Sequence, residues 1–425
     1  MSKKQVFIIG GGAAGFFCAA NLSRDLYHIT ILEQNAEVLQ KVKISGGGRC
    51  NLTHACFDPR ELVQFYPRGS KELLSVFSKF QPADTMAWFS ERGLELKVEA
   101  DNRVFPVTDS SQSVIDLLTK EAKKNSVEIR TKTTVKDIQF KDDKYQITTN
   151  NGSFTADILI YTTGSSPKSF KIIQNLGHKI ISPVPSLFTF NIKDPLLQEL
   201  AGTSFTDTTL SIPNLRAEES GALLITHWGL SGPAILKLSA WEARRLAALN
   251  YQFEIEVNFI SISWEQAVED FISFKNKNPK RSLSQSKIFD VTNRFWQKIL
   301  SISQVDAHKQ MANVSKKEME QILENLCRKR LKIDGKSTFK DEFVTCGGVD
   351  LKEINFKDMS SKILPNLFIA GEILNIDAVT GGFNFQACWS EAYLITHSLA
   401  QGAPTAWEPL SRGGTRNYQD RKSVV

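Results

Sequence analysis

The chain has no apolar run of the ~18–20 residues that a membrane span needs. Its six cysteines (Cys18, Cys50, Cys56, Cys327, Cys346 and Cys388) are scattered and form no Cys-x-x-Cys. That argues against a disulfide framework and a zinc site, so no metal is expected. It also argues against a dithiol relay, although Cys50 and Cys56 stand six apart. Cys18 reads as a core residue. There is no internal repeat and no aromatic-and-basic interleaving of the kind that holds single-stranded nucleic acid. The net charge of +6 is mild. Basic clusters at 277–281 and 328–332 would suit an acidic partner, but solvated helix faces are the commoner reason for such runs. Nucleic acid is therefore not the expected partner, and the oligomeric state stays open. The chain begins almost at once with an apolar strand, which leaves no room for a signal peptide. The expectation is a cytoplasmic protein without a membrane partner. With 425 residues and 41% hydrophobic content it has room for two or three domains.

What is present begins at residue 4. Val6-Phe7-Ile8-Ile9 runs into Gly10-Gly11-Gly12-Ala13-Ala14-Gly15, a Gly-x-Gly-x-x-Gly. A helical pattern follows from about residue 16 to 24. A second apolar run closes on Ile31-Leu32-Glu33. This is strand, turn, helix, strand and acid in dinucleotide-binding order. Gly10 permits the tight turn, Gly12 lets backbone approach a pyrophosphate, and Gly15 lets helix and strand pack closely. The helix N-terminus offers free N–H groups to phosphate. Glu33 can accept hydrogen bonds from an adenosine ribose. The motif alone does not separate FAD from NAD.

Next comes Lys41-Val42-Lys43-Ile44-Ser45-Gly46-Gly47-Gly48-Arg49-Cys50-Asn51, where three consecutive glycines allow a loop to lie against something planar or anionic. Helices are predicted over 71–80, 83–92 and 111–124. Strands are predicted over 127–140, 144–149 and 153–161, with Asn150-Asn151-Gly152 as a hairpin turn. The strand ending in Thr163-Gly164 places a second small-residue turn at a strand's carboxyl end, where open α/β sheets bind ligands. From about Ser186 the character changes. Strand-like pieces (187–193, 208–212, 222–226, 251–260) precede helical stretches at 263–275, 286–301 and 315–331. The glycine-rich style returns at Cys346-Gly347-Gly348. A last apolar strand ends in Gly371-Glu372, and Gly381-Gly382-Phe383-Asn384 opens a final helix. The expected domains are 1–185 and 344–400 as one dinucleotide-binding unit, and 186–343 as an insert. Within the insert, β structure is expected at about 186–262 and helices at about 263–335. A polar tail, 401–425, is expected to be poorly ordered.

An N-terminal Gly-x-Gly-x-x-Gly with a C-terminal Gly-Glu and Gly-Gly-x-Asn resembles the two-dinucleotide-binding, glutathione-reductase-like flavoproteins. Four blocks narrow the resemblance. They are Lys43-Ile44-Ser45-Gly46-Gly47-Gly48-Arg49-Cys50-Asn51, Ile225-Thr226-His227-Trp228-Gly229-Leu230-Ser231-Gly232-Pro233-Ala234, Thr345-Cys346-Gly347-Gly348-Val349 followed by Met359-Ser360-Ser361-Lys362, and Ala370-Gly371-Glu372-Ile373-Leu374-Asn375-Ile376-Asp377 with Gly381-Gly382-Phe383-Asn384-Phe385-Gln386. Together they resemble the bacterial YhiN-like flavoproteins, the aminoacetone oxidase family of NAD(P)/FAD-dependent oxidoreductases. The resemblance implies an α/β FAD domain with an inserted β-barrel plus helical domain. It implies FAD held non-covalently by Gly10, Gly12, Ala13, Ala14, Gly15, Glu33, Gln34, Lys41, Ser45, Gly46, Gly48, Arg49, Cys50, Asn51, Val135, Thr163, Gly164, Gly371, Glu372, Asp377, Gly382, Phe383 and Asn384. In that reading Val135 meets the adenine through its backbone. Glu372 and Asp377 face the ribityl chain. The helix opened by Gly382 points at the flavin, where negative charge develops on reduction. The chain departs from the family after Gly164, where Ser165-Ser166-Pro167-Lys168 replaces a longer glycine-rich segment.

The implied activity is hydride transfer through flavin N5 to or from a small organic molecule. Reduction of an activated C=C or C=O and oxidation of an amine both remain open. A second Gly-x-Gly-x-x-Gly is missing, so NAD(P)H would bind transiently as electron donor. His227 and Arg49 are the catalytic candidates, as proton donor and as a steadying cation. His227 has the alternative of capping the helix from Pro233. Two other classes stay open: a flavin-dependent RNA-modifying protein, and a structural or redox-sensing FAD.

Overall fold

The computed structural model describes residues 2–337 and 344–400. The predicted tail 401–425 lies outside the described residues. The chain divides into two compact units, one made by residues up to Pro183 and from Gly347 on, the other by Val184–Cys346.

The first unit is built on a seven-stranded sheet. Its parallel part runs in the spatial order Glu128–Arg130, Tyr27–Leu32, Lys4–Ile9, Ile158–Tyr161, Leu367–Ile369. Short antiparallel strands, Ser360–Ser361 and Ile354–Asn355, extend it. Strand Lys4–Ile9 is central because Val6, Phe7, Ile8 and Ile9 are all buried, as a strand covered on both faces requires. The order reverses around this strand. Chain leaving it pairs first on one side, with Tyr27–Leu32, and much later on the other, with Ile158–Tyr161. That reversal is the switch point where open α/β sheets bind ligands. Helices Ala13–Asn21 and Phe383–Leu399 pack against each other, so the two ends of the chain share one core. Phe17 joins them, with its ring 5.4 Å from that of Trp389.

The predicted strand over 127–140 is two strands. Glu128–Arg130 ends the parallel sheet, while Val135–Lys141 opens an antiparallel meander with Lys144–Thr149 and Gly152–Ala156. Apolar pattern cannot show where a strand changes sheet.

The second unit is a closed six-stranded barrel with helices. The barrel order is Phe190–Ile192, Gly229–Ser231, Ala217–Ile225, Ser204–Ile212, Gln252–Asn258, Lys329–Lys336. The last strand differs from expectation, since the predicted helix over 315–331 ends at Cys327. Beyond it Leu331 and Ile333 are buried between exposed neighbours, a period-two pattern that pairs along Gln252–Asn258. The sequence therefore closes its barrel after the helices. Helices Trp264–Lys277, Asn293–Ile302 and Lys316–Cys327 add Phe271, Phe295, Ile299 and Leu323 to the barrel's core. Among the described residues, no helix is long and apolar enough to cross a membrane.

Candidate functional site

The first glycine turn is shaped by three different demands. Gly10 has φ +107°, and a Cβ there would sit 2.5 Å from the Thr162 carbonyl oxygen. A Cβ on Gly15 would overlap the Gly10 carbonyl oxygen and crowd Thr162 Oγ1 at 2.8 Å. Among the described residues, a Cβ on Gly12 would meet nothing within 4 Å. The two outer glycines are therefore needed by the protein itself, while the middle one opens a space at the N-terminus of helix Ala13–Asn21. Among the described residues, no side chain caps that terminus. Ala14 is buried behind it.

Glu33 lies at the end of strand Tyr27–Leu32 and is almost fully buried. Its Oε2 accepts from Gly11 N–H at 2.8 Å and its Oε1 from Asn35 N–H at 2.8 Å. The carboxylate is thus held against the turn, and each oxygen keeps a lone pair for a further donor. Gln34 beside it is exposed. Thr133 N–H donates to the Glu33 carbonyl at 2.8 Å, which brings Val135 to the same edge two residues on.

Across the sheet, Thr162 Oγ1 donates to the carbonyls of Ile9 and Gly10 at 3.2 and 3.1 Å. Thr163 and Gly164 follow, and a Cβ on Gly164 would lie 4.0 Å from Glu372. Glu372 forms an ion pair with Lys41. Gly371 faces the first helix, since its Cβ would lie 3.5 Å from that of Ala14. Gly10, Gly12, Ala14, Glu33, Lys41, Gly164, Gly371 and Glu372 therefore converge around the switch point.

A second cluster surrounds the glycine triplet. Helix Gln40–Gly48 loses helical geometry at Ser45, and Gly46, Gly47 and Gly48 have φ of +57°, +68° and +84°. Among the described residues, Cβ atoms on Gly47 and Gly48 would meet nothing within 4 Å. Ser45 Oγ donates to the Val42 carbonyl. Cys50 is fully buried beneath the loop, and burial pushes its thiol up to about 12. Burial keeps it in the thiol form and out of reach of solvent, and all six cysteines are free. Asn51 ties the loop to the C-terminal helix. Its Oδ1 accepts from Gly382 N–H at 3.0 Å and its Nδ2 donates to the Thr53 carbonyl at 3.1 Å. Thr53 Oγ1 and Trp389 Nε1 extend the seam, to Gln386 Oε1 at 2.6 Å and to the Leu52 carbonyl at 3.0 Å.

Four expected site residues are engaged elsewhere. Arg49 bonds Glu99 at 2.6 Å, lies 3.5 Å from Asp109, and stacks 4.0 Å over the Phe105 ring. Its charge is neutralised rather than presented. Asp377 is fully buried in a two-pronged ion pair with Arg68, so it offers no free carboxylate to a ribityl chain. Phe383 is buried in a three-ring cluster with Phe65 and His54, whose centroids lie 4.3 and 4.6 Å from its own and 5.6 Å from each other. Asn384 clasps the Ala378 backbone through both ends of its amide. His227 lies in the other unit. It is exposed in the turn between strands Ala217–Ile225 and Gly229–Ser231. It does not cap the helix from Pro233, whose N-cap is Gly232 with no side-chain bond.

The sequence reading missed Thr162, Arg68, Glu99 and Glu391. Only Glu391 carried a signal, as the sole acidic residue of the helix Phe383–Leu399.

The sequence matches the profile described as the HI0933-like protein Rossmann domain over residues 4–398. A ribosomal RNA dihydrouridine synthase of Escherichia coli (strain K12) is 26% identical over 94% of this chain and 98% of its own length. A 3-dehydro-bile acid delta(4,6)-reductase of Clostridium scindens is 24% identical over 93% of this chain and 99% of its own. Among solved structures, a 3-ketosteroid-delta4-(5alpha)-dehydrogenase from Rhodococcus jostii RHA1 aligns with TM-score 0.44 and 12% identity, covering 93% of this chain and 96% of that one. The match over nearly the whole length makes this chain a member of the HI0933-like family of Rossmann-domain proteins.

Proposed function

We propose that the chain is a FAD-dependent oxidoreductase that reduces a C=C bond conjugated to a carbonyl in a small organic substrate, with NAD(P)H as transient donor. The observation that carries this reading is the glycine turn: Gly10 and Gly15 are crowded by backbone, while Gly12 alone faces open space at an uncapped helix N-terminus. A dinucleotide pyrophosphate fits that cradle. The helix Ala13–Asn21 would hold it, Glu33 would accept from ribose hydroxyls, and Lys41 with Glu372 would meet the polar chain beyond. The open side of Gly47 and Gly48 suits a flat ring. When bound, FAD supplies hydride transfer at N5. Arg49 would fix the glycine loop through Glu99 and Asp109, and Asp377 would fix its own turn through Arg68. His227 is the candidate proton donor. His54 is stacked on Phe383 and serves no covalent attachment in this reading.

The choice of bond draws on the relatives' names. A dihydrouridine synthase and a delta(4,6)-reductase of a 3-dehydro bile acid share one chemistry, saturation of a C=C conjugated to a carbonyl. The test is an anaerobic absorbance spectrum followed by titration with NADH and NADPH, then an enone panel. Bleaching by a nicotinamide and reoxidation by an enone are expected. A flavin that stays oxidised with both donors, or no FAD binding, overturns the reading.

A second reading keeps the chemistry and changes the substrate to a uridine in ribosomal RNA. It is favoured by two relatives of that name, at 26% and 27% identity. Mass spectrometry of RNA treated with the reduced protein decides it by the gain of two hydrogens per modified uridine.

A further inference from the structure

Glu391 is fully buried in the middle of helix Phe383–Leu399. Its Oε2 accepts from Gly371 N–H at 2.6 Å. Among the described residues, its buried Oε1 has no hydrogen-bond partner. The titratable groups that face it are Cys18 on helix Ala13–Asn21, Tyr66 ahead of helix Ser70–Phe77, and Cys388 on its own helix. Beyond Cys388 stand Glu372 and Lys41, which pair with each other. None of the three groups facing Glu391 is a cation. Burial pushes its carboxyl up to about 8, and only the Gly371 N–H pulls it down. Gly371 in turn abuts Ala14 in the first turn of helix Ala13–Asn21. Glu391 therefore stands one hydrogen bond behind the junction between the two halves of the switch-point site.

We propose that Glu391 is a positioning residue that works as a neutral carboxylic acid, fixing the Gly371-Glu372 turn against the N-terminus of the first helix and admitting an anionic dinucleotide only while it stays protonated. The second half rests on the FAD reading; the first does not. As a neutral acid, Glu391 offers its carbonyl oxygen to Gly371 N–H and keeps its proton on Oε1. Once ionised, it places an unpaired charge in an apolar core, behind the place where two phosphate charges are to be held. Removal of that charge by re-protonation, or repulsion of the cofactor, follows from the same energetics.

The experiment compares the full-length wild type with E391Q and E391L. Without added FAD, the wild-type melting temperature should fall as pH rises from about 4.5 towards 8, because the unfolded carboxyl releases its proton before the folded one does. E391Q should lack that slope and be the more stable protein at pH 8 and above. With FAD, affinity by flavin fluorescence should weaken in the wild type by up to about tenfold per pH unit above pH 8. E391Q should keep its pH 7 affinity throughout. E391L gives Gly371 N–H no acceptor and should bind FAD weakly at every pH. Parallel pH curves for wild type and E391Q, or wild-type affinity in E391L, overturn the proposal. If FAD binds to none of the proteins, the FAD reading fails while the melting curves still decide the neutral acid. If E391L does not fold, the E391Q contrast alone decides.

Discussion

Gly12 and Gly15 stand three residues apart, yet the same substitution should act on them in opposite ways. An alanine at Gly15 would drive its methyl into the Gly10 carbonyl. Overpacking against backbone costs about 1–3 kcal/mol, so G15A should lower the denaturant midpoint clearly. An alanine at Gly12 meets nothing, and its φ of −90° with extended ψ suits any residue. G12A should therefore leave stability within about 0.5 kcal/mol of the wild type. It should weaken FAD binding about tenfold or more by filling the cradle. Equal stability loss in both variants, or unchanged FAD affinity in G12A, would refute the division of labour. At this scale the glycine pattern was readable because Gly10 and Gly15 answer a demand for close approach, while Gly12 keeps the helix N-terminus open. Arg49 and Asp377 were not readable. Both were sensible cofactor contacts by type, but Glu99 lies 50 residues from Arg49, and Arg68 lies 309 from Asp377.

Among the elements, helix Lys316–Cys327 shows how sequence signals and packing combine. Ser315 and Glu318 form a reciprocal capping box, and Lys309 bonds Glu318 at 2.5 Å. The bonds to Lys309 and Ser315 lower the Glu318 carboxyl to about 2. A carboxyl depressed on folding contributes stability that is complete above its unfolded value of about 4.5 and is lost as pH falls towards 2. E318Q should remove that acid sensitivity and destabilise the chain modestly at pH 7. Melting temperatures of both proteins between pH 2.5 and 7 should converge at the acid end. Parallel curves would mean that the cap contributes nothing. The same helix shows where periodicity misleads. Its predicted pattern ran to 331, because Leu331 falls on both a helical and a strand period. Pairing with Gln252–Asn258 resolves the ambiguity in favour of a strand.

On the scale of the whole molecule, the second unit owns a complete core. Its buried cluster is drawn from Phe188 to Ile333, with the barrel closed on itself and helices against it, Pro233–Trp241 among them. A fragment of residues 184–346 should therefore fold alone and melt in one cooperative transition. A fragment without near-ultraviolet dichroism or a cooperative melt would show that the core is insufficient.

The sequence by itself determined the central strand, the glycine turn, the acid after the second strand and the glycine-rich opening of the last helix. These are local demands of backbone conformation and close approach, written in residue type and spacing. Only the tertiary structure decided which charges are free and which are taken. It turned Arg49 to Glu99, Asp377 to Arg68 and Phe383 into an aromatic cluster, and it buried Glu391 on the Gly371 N–H with no cation facing it. The physical reason is that a charge's availability depends on partners brought close by folding, and their distance along the chain leaves no trace in the local pattern.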